Sequence, residues 1–251
     1  MPEDLTIDQA AAAAILLLCW VLYSPMLRLL GRQPINRQLE KARLRWIQSL
    51  STRAALPFDA ILLGHIVNSV TFFGSATLIV LAGLFSVFAD LRAFHAAIQD
   101  LDVAGQGSFA LFVWQFGLLA LVIAISFFSF TYALRKMIYV VALVAALPGQ
   151  AKAACDQDAM ATHAATVLTE AVTTFNFAIR GYYYAIAALC LLFSPAASIA
   201  ASIIATAILI YRQTRTKTSR AIQGYIDAIG APAPAEPVAD EGAAARARGD
   251  L

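Results

Sequence analysis

Apolar residues gather in long runs along this chain, and charged residues crowd into the gaps between them. That patterning predicts helices solvated by lipid. The first run covers residues 9–29; Trp20 and Tyr23 sit near one end, as interface aromatics do, and Pro25 is expected to kink or end it. The second, 59–89, would be about 46 Å long as one helix, against a hydrocarbon core of about 30 Å, so it tilts or reaches into the interface. The third starts at Ser108 and meets Arg135-Lys136. A cation at the bilayer centre is costly, so the span 108–134 ends there and Met137–Leu147 emerges as a continuing helix until Pro148-Gly149. The last run, 181–211, carries Ser194-Pro195 near its middle. Two halves of about 15 residues are short for a re-entrant hairpin, so one kinked span is expected.

The gaps have their own patterns. From Arg28 to Phe58 the chain is strongly basic, with Arg28, Arg32, Arg37, Lys41, Arg43, Arg45 and Arg53 against Glu40. Leu39, Leu44, Ile47 and Leu50 recur at loosely helical spacing. This predicts an amphipathic helix lying against anionic lipid headgroups, with Trp46 as an anchor. Residues 90–107 form a short acidic loop with Asp90, Asp100, Asp102 and Arg92. Its Gly105-Gln106-Gly107 is a turn signal and no nucleotide fingerprint, because no strand precedes it and the third glycine is missing. Residues 151–177 predict a moderately amphipathic helix. Residues 231–251 are low-complexity and predict a disordered tail after a membrane domain over 1–230. The expected fold is all-α: a polytopic membrane helical bundle of about four transmembrane helices, with long and amphipathic interfacial helices.

Composition agrees: 60% of the 251 residues are hydrophobic and 14% charged, about half the charge of an ordinary soluble domain. A net charge of +2 gives no reason to expect a nucleic-acid partner. Cys19, Cys155 and Cys190 lack metal-ligand spacing and read as small core residues. The acidic start, Glu3, Asp4 and Asp8, is unlike a secretory signal, so the first run is read as a retained span. Cation-rich loops stay cytoplasmic. The first loop and the stretch with Arg135, Lys136, Lys152 and Arg180 are then inside, and the acidic N-terminus and second loop outside, as in a bacterial inner membrane. Four spans put the C-terminus outside, and the basic cluster Arg212, Arg215, Lys217 and Arg220 disagrees with that; a fifth crossing or a re-entrant last segment would resolve the conflict, so four spans are kept and the side of the C-terminus stays open.

Several residues carry a family resemblance. Asn36-Arg37, Arg45-Trp46, Arg53, Asp59, Phe72-Phe73-Gly74-Ser75-Ala76-Thr77 and Ala82-Gly83-Leu84 form one block. Phe175-Asn176, Arg180-Gly181-Tyr182-Tyr183-Tyr184-Ala185 and Tyr211-Arg212 form a second. Together they resemble the domain-of-unknown-function 599 family. The resemblance implies a four-span membrane protein and no activity. The family pattern has an acid just after Arg53, where this chain has Ala54-Ala55.

Two sets of residues go beyond lipid compatibility. On the second span Gly64, Asn68, Thr71, Ser75 and Ala82 share one helix face. Such a stripe packs helices closely, or its polar members Asn68, Thr71 and Ser75 line a pathway. Ser194, Ser198, Ala201, Ser202 and Ala205 repeat the pattern on the last span. The second set is a charge cluster at the cytoplasmic surface, Asp59, Arg135, Asn176 and Arg180, either an interhelical ion pair or a mouth for an ion or anionic ligand. Tyr182, Tyr183 and Tyr184 beside it fit an aromatic belt. His65, His95 and His163 do not match in depth, so no haem or other cofactor is expected.

No buried carboxylate pair, nucleophile with base, or metal cluster is visible, and no enzyme is expected. Two roles remain. One is a homo-oligomeric channel or small transporter with its path along the second span, which leads by elimination. The other is a non-catalytic accessory or assembly subunit of a membrane complex.

Overall fold

The computed structural model describes residues 5–29, 35–52, 57–100, 107–147 and 156–230, and among these the regular structure is entirely helical. The helices are α1 Ile7–Leu29, α2 Ile35–Thr52, α3 Pro57–Ala89, α4 Leu91–Gln99, α5 Phe109–Ala145, α6 Gln157–Leu191, α7 Pro195–Thr214 and α8 Lys217–Gly230. Cys155 and the expected tail over 231–251 lie outside the described residues. Local chemistry sets most starts. Thr6 and Gln9 form a capping box for α1, with N–H to side-chain oxygen distances of 3.0 and 3.4 Å. Asp90, Ser108 and Asp156 cap α4, α5 and α6 by accepting from the third N–H onward. Pro25 does not end α1, which runs on to Leu29. The expected loop after α3 contains α4, a nine-residue helix that buries Leu91 and Ile98.

Four helical stretches are long and apolar enough to cross a membrane: Ile7–Leu27, Pro57–Ala89, Phe109–Ala145 and the one opening at Pro195. The last differs from the expected span over 181–211. α6 runs unbroken through Gly181 to Leu191, a three-residue turn follows, and Pro195 opens α7. Proline suits the first helical position, where its missing N–H would have had no partner. The N–H groups of Leu192, Phe193 and Ser194 fold back onto Leu189 and Cys190 carbonyls at 3.0–3.1 Å and close the end of α6. The result is a helical hairpin of 35 and 20 residues, not one kinked helix.

α6 is the hub. Its Gly181 packs on Ser126 of α5 and Trp20 of α1, and its Tyr184 hydroxyl donates to the Cys19 carbonyl at 3.1 Å and shares a hydrogen bond with Thr206 of α7 at 2.9 Å. Lys136 of α5 reaches Thr174 at 2.9 Å. These pairings set five long helices, α1, α3, α5, α6 and α7, side by side in alternating direction. One end holds the start of α1, α4 and the α6–α7 turn. The other, the basic end, holds α2 and α8.

The basic end extends well past the end of α1. α2 is amphipathic as expected, but it does not lie flat with a free apolar face. It stands antiparallel to the first half of α6, from Asn36 at Thr173 (2.8 Å) to Ile47 buried beside Ala161 and Ala164. Its apolar side is covered by protein. Trp46 is no headgroup anchor: its indole N–H donates to Asp59 Oδ1 at 3.0 Å. α8 packs on α2 through Gln38–Gln223 and through Arg45 to the Ile229 carbonyl at 3.2 Å. The end of α8 therefore lies at the same end of the bundle as α2. α6, a long helix beyond the four apolar stretches, returns the chain once more and brings the two basic elements together.

Candidate functional site

The most unusual polar group inside the bundle is Arg180. It follows Phe177 by one turn on α6 and faces α1. Its guanidinium donates to Ser24 Oγ at 2.9 Å and lies 4.7 Å from the Tyr23 ring centre and 5.6 Å from that of Phe177. Trp20 stacks on Phe177 at 5.3 Å. Among the described residues no carboxylate pairs with Arg180. Its Nε, the Trp20 indole N–H and the Tyr23 hydroxyl are buried without hydrogen-bond partners there. Aromatic faces and one hydroxyl hold this cation in place of a counter-ion. A short distance along the same surface, Arg212 donates to the Tyr183 hydroxyl at 2.9 Å.

The expected cluster of Asp59, Arg135, Asn176 and Arg180 is not assembled. Asp59 is buried at the base of α3 against Trp46. Thr77 bonds to the Tyr182 hydroxyl and so fixes α3 against α6. Counting back along α3 at 1.5 Å per residue puts Asp59 roughly 24 Å below Arg180. Arg135 is exposed and lies about 13 Å below. Its neighbour Lys136 takes the interhelical role, 3.6 Å from Glu170, 2.9 Å from Thr174 and 4.7 Å from the Tyr132 ring centre. Asn176 is half-buried one turn from Arg180.

The α3 stripe has the opposite surprise. Asn68, Thr71 and Ser75 lie on the outer surface of the chain, with Gly64 and Ala82. They line no passage within one copy. Thr71 returns its hydroxyl to the Val67 carbonyl at 3.0 Å; Asn68 has no hydrogen bond from its amide among the described residues. The stripe on α7 turns inward: Ser198, Ser202 and Ala205 are buried against the bundle.

Sequence reasoning passed over Arg43 and Asn36 as a pair. Arg43 donates to the Asn36 side chain at 2.5 Å, the Asn36 carbonyl at 3.1 Å and Thr169 at 3.4 Å. Burial pulls the Arg43 guanidinium below its usual value, and Glu40 opposes this. The i, i+7 spacing on an amphipathic helix was the available signal. His65 and His163 are exposed and His95 is half-buried on α4, in three separate places. Among the described residues no three His, Cys, Asp or Glu side chains could hold a metal ion together.

Apolar helices of this length and arrangement define a multi-pass helical membrane protein. The chain belongs to the family described as "Protein of unknown function, DUF599", whose model matches residues 11–218. No curated protein and no solved structure matches it. Of the residues that carry the resemblance, five are joints between helices: Asn36 to α6, Trp46 to Asp59, Thr77 to Tyr182, Gly181 to Ser126 and Tyr184 to α1 and α7; Phe72, Ser75 and Ala82 stand on the outer surface.

Proposed function

We propose that the protein is a non-catalytic assembly component of the membrane that joins further copies of itself along α3 and α5. The observation that carries this is an apolar face too long for lipid. α3 buries only Asp59, Leu63, Val70 and Thr77, one narrow seam. Phe58, Ile61, Phe72, Ile79, Phe85 and Phe88 stand exposed along it, over about 45 Å. To fit a core of about 30 Å this stripe needs a tilt of roughly 48°, beyond the usual 0–40°. Arg37, Glu40 and Lys41 of α2, which stands beside the first half of α6, are exposed as well, and such charges favour water over acyl chains. A second copy solves the mismatch. Rotation about the membrane normal sets residues of equal depth against each other, so a long stripe meets one of equal length. Asn68 then faces hydrogen-bonding groups in place of acyl chains.

A permeation path along α3 is the competing reading, and the exposed Asn68, Thr71 and Ser75 favour it. That lining stops halfway: from Leu78 to Phe88 the helix offers only Ser86. In either case the basic end, including α8, is cytoplasmic in a bacterial inner membrane, and α6 is a fifth crossing. Arg212, Arg215 and Lys217 then meet anionic headgroups at the border.

The test uses single cysteines in a chain with Cys19, Cys155 and Cys190 replaced by serine. Oxidation in native membranes is expected to give covalent homodimers with Ile79→Cys and monomers with Ile204→Cys on α7. Equal yields at both positions would discard the α3 interface. Solute flux in proteoliposomes that is lost in the Asn68→Leu, Ser75→Leu double variant would favour the path instead.

A further inference from the structure

At the end opposite α2, a half-open cavity of about 150 Å³ lies between the start of α1, α4, the first turns of α5 and the α6–α7 turn. Its polar lining residues among those described are Gln9, His95, Gln99, Ser108 and Gln115, and none of the described lining residues is a carboxylate, Lys or Arg. Gln115 is only 6% exposed, and its amide has no hydrogen bond among the described residues. The amide faces the cavity and is open to hydrogen bonds from whatever fills it. The other polar groups are held in place. Gln99 Nε2 lies 3.3 Å from the Gly107 carbonyl and 3.2 Å from His95 Nε2. The His95 ring is braced 4.8 Å from Phe112 and 5.6 Å from Phe109. Ser108 caps α5 from the cavity wall.

We propose that this cavity binds a small neutral solute that both donates and accepts hydrogen bonds, a carboxamide or polyol of roughly six heavy atoms, the size a 150 Å³ cavity holds. The chemistry selects this class. Amides offer donors and acceptors together, which suits a ligand of the same kind. With no charged group among the described lining residues, neither a carboxylate nor an ammonium ion recovers its lost hydration from them. Phe112 and Leu192 form part of an apolar wall, and a carbon skeleton lies against that wall better than water does. None of the described lining residues belongs to α3, so the site is built independently of the proposed α3 interface.

The experiment is saturation-transfer NMR on the full chain in detergent, with acetamide, glycerol, acetate and benzene as probes. Transfer to acetamide or glycerol is expected to exceed transfer to acetate at least five-fold. Gln115→Leu should reduce it at least five-fold, as should Leu192→Trp, which fills the space and keeps the amide. Transfer to acetate equal to that to acetamide would overturn the neutral class, and the comparison needs no variant. Transfer to benzene alone, or to no probe, would mean an apolar or merely water-filled cavity and would end the proposal.

Discussion

Gly181 of α6 leaves no room for a side chain between itself and Ser126 of α5. A Cβ built there overlaps the Ser126 hydroxyl and sits 3.1 Å from the Ser126 Cβ and 3.4 Å from the Trp20 ring. Ser126 is fully buried and bonded to the Val122 carbonyl at 2.9 Å, so it has little room to yield. Gly181→Ala is therefore expected to destabilise the protein by about 1–3 kcal/mol, seen as a lower melting temperature in detergent. Adding Ser126→Gly should restore most of the loss. Gly224→Ala, with open space around its Cβ, should change much less. Trp46 gives a second residue-level prediction. Trp46→Phe keeps a ring in the basic-end core but removes the N–H that Asp59 accepts, at a cost of about 1–3 kcal/mol. A melting temperature unchanged in Trp46→Phe would mean that the indole–carboxylate bond contributes nothing.

At the scale of elements, the apolar runs located three of the long helices well, because lipid imposes one simple demand on such a helix. Met137–Leu147 was legible as a continuation of α5 for the same reason. The last two long helices were not. α6 mixes Asn176, Arg180 and three tyrosines into its second half, and these polar groups look like a boundary until Ser24, Tyr23 and Thr77 are seen beside them. With the helix start misplaced at Gly181, Pro195 fell in the middle of a span and looked like a kink. α2 shows the other limit. Its pattern revealed an apolar face but not what covers it, since lipid and the alanine-rich side of α6 make the same demand. The charge cluster failed because every helix end was assigned one depth. Asp59 starts its helix far below the level at which Arg180 sits, and only the pairing of Thr77 with Tyr182 reveals the offset.

For the whole molecule, five alternating helices sort the charges to two ends. The cations of α2 and those from Arg212 to Arg220 now share one end, while Asp8, Asp90 and Asp100 share the other. If the proposed orientation holds, with α6 as a fifth crossing and the basic end inside, a fluorescent reporter fused after Gly230 is active in the cytoplasm and an exported-phosphatase reporter at the same point is silent. The reverse result would return the count of crossings to four. Two cores support this arrangement. One joins α1, α3, α4, α5, α6 and α7 around Trp20, Phe116 and Tyr184; the other joins α2, α3, α5 and α6 around Ile47 and Met137.

Because α6 belongs to both cores, it also sets the order of events during synthesis. The joints of α1 and α2 to it bridge 137 to 165 residues of chain, so they are late, long-range closures. Until the ribosome has delivered residue 191, α1 has no home for Tyr23 and Trp20, and α2 waits with its apolar side uncovered. The nascent chain must be sheltered for that interval by the insertion machinery or a chaperone. A stop anywhere before α6 should leave a fragment with both cores unmade, fit for proteolysis.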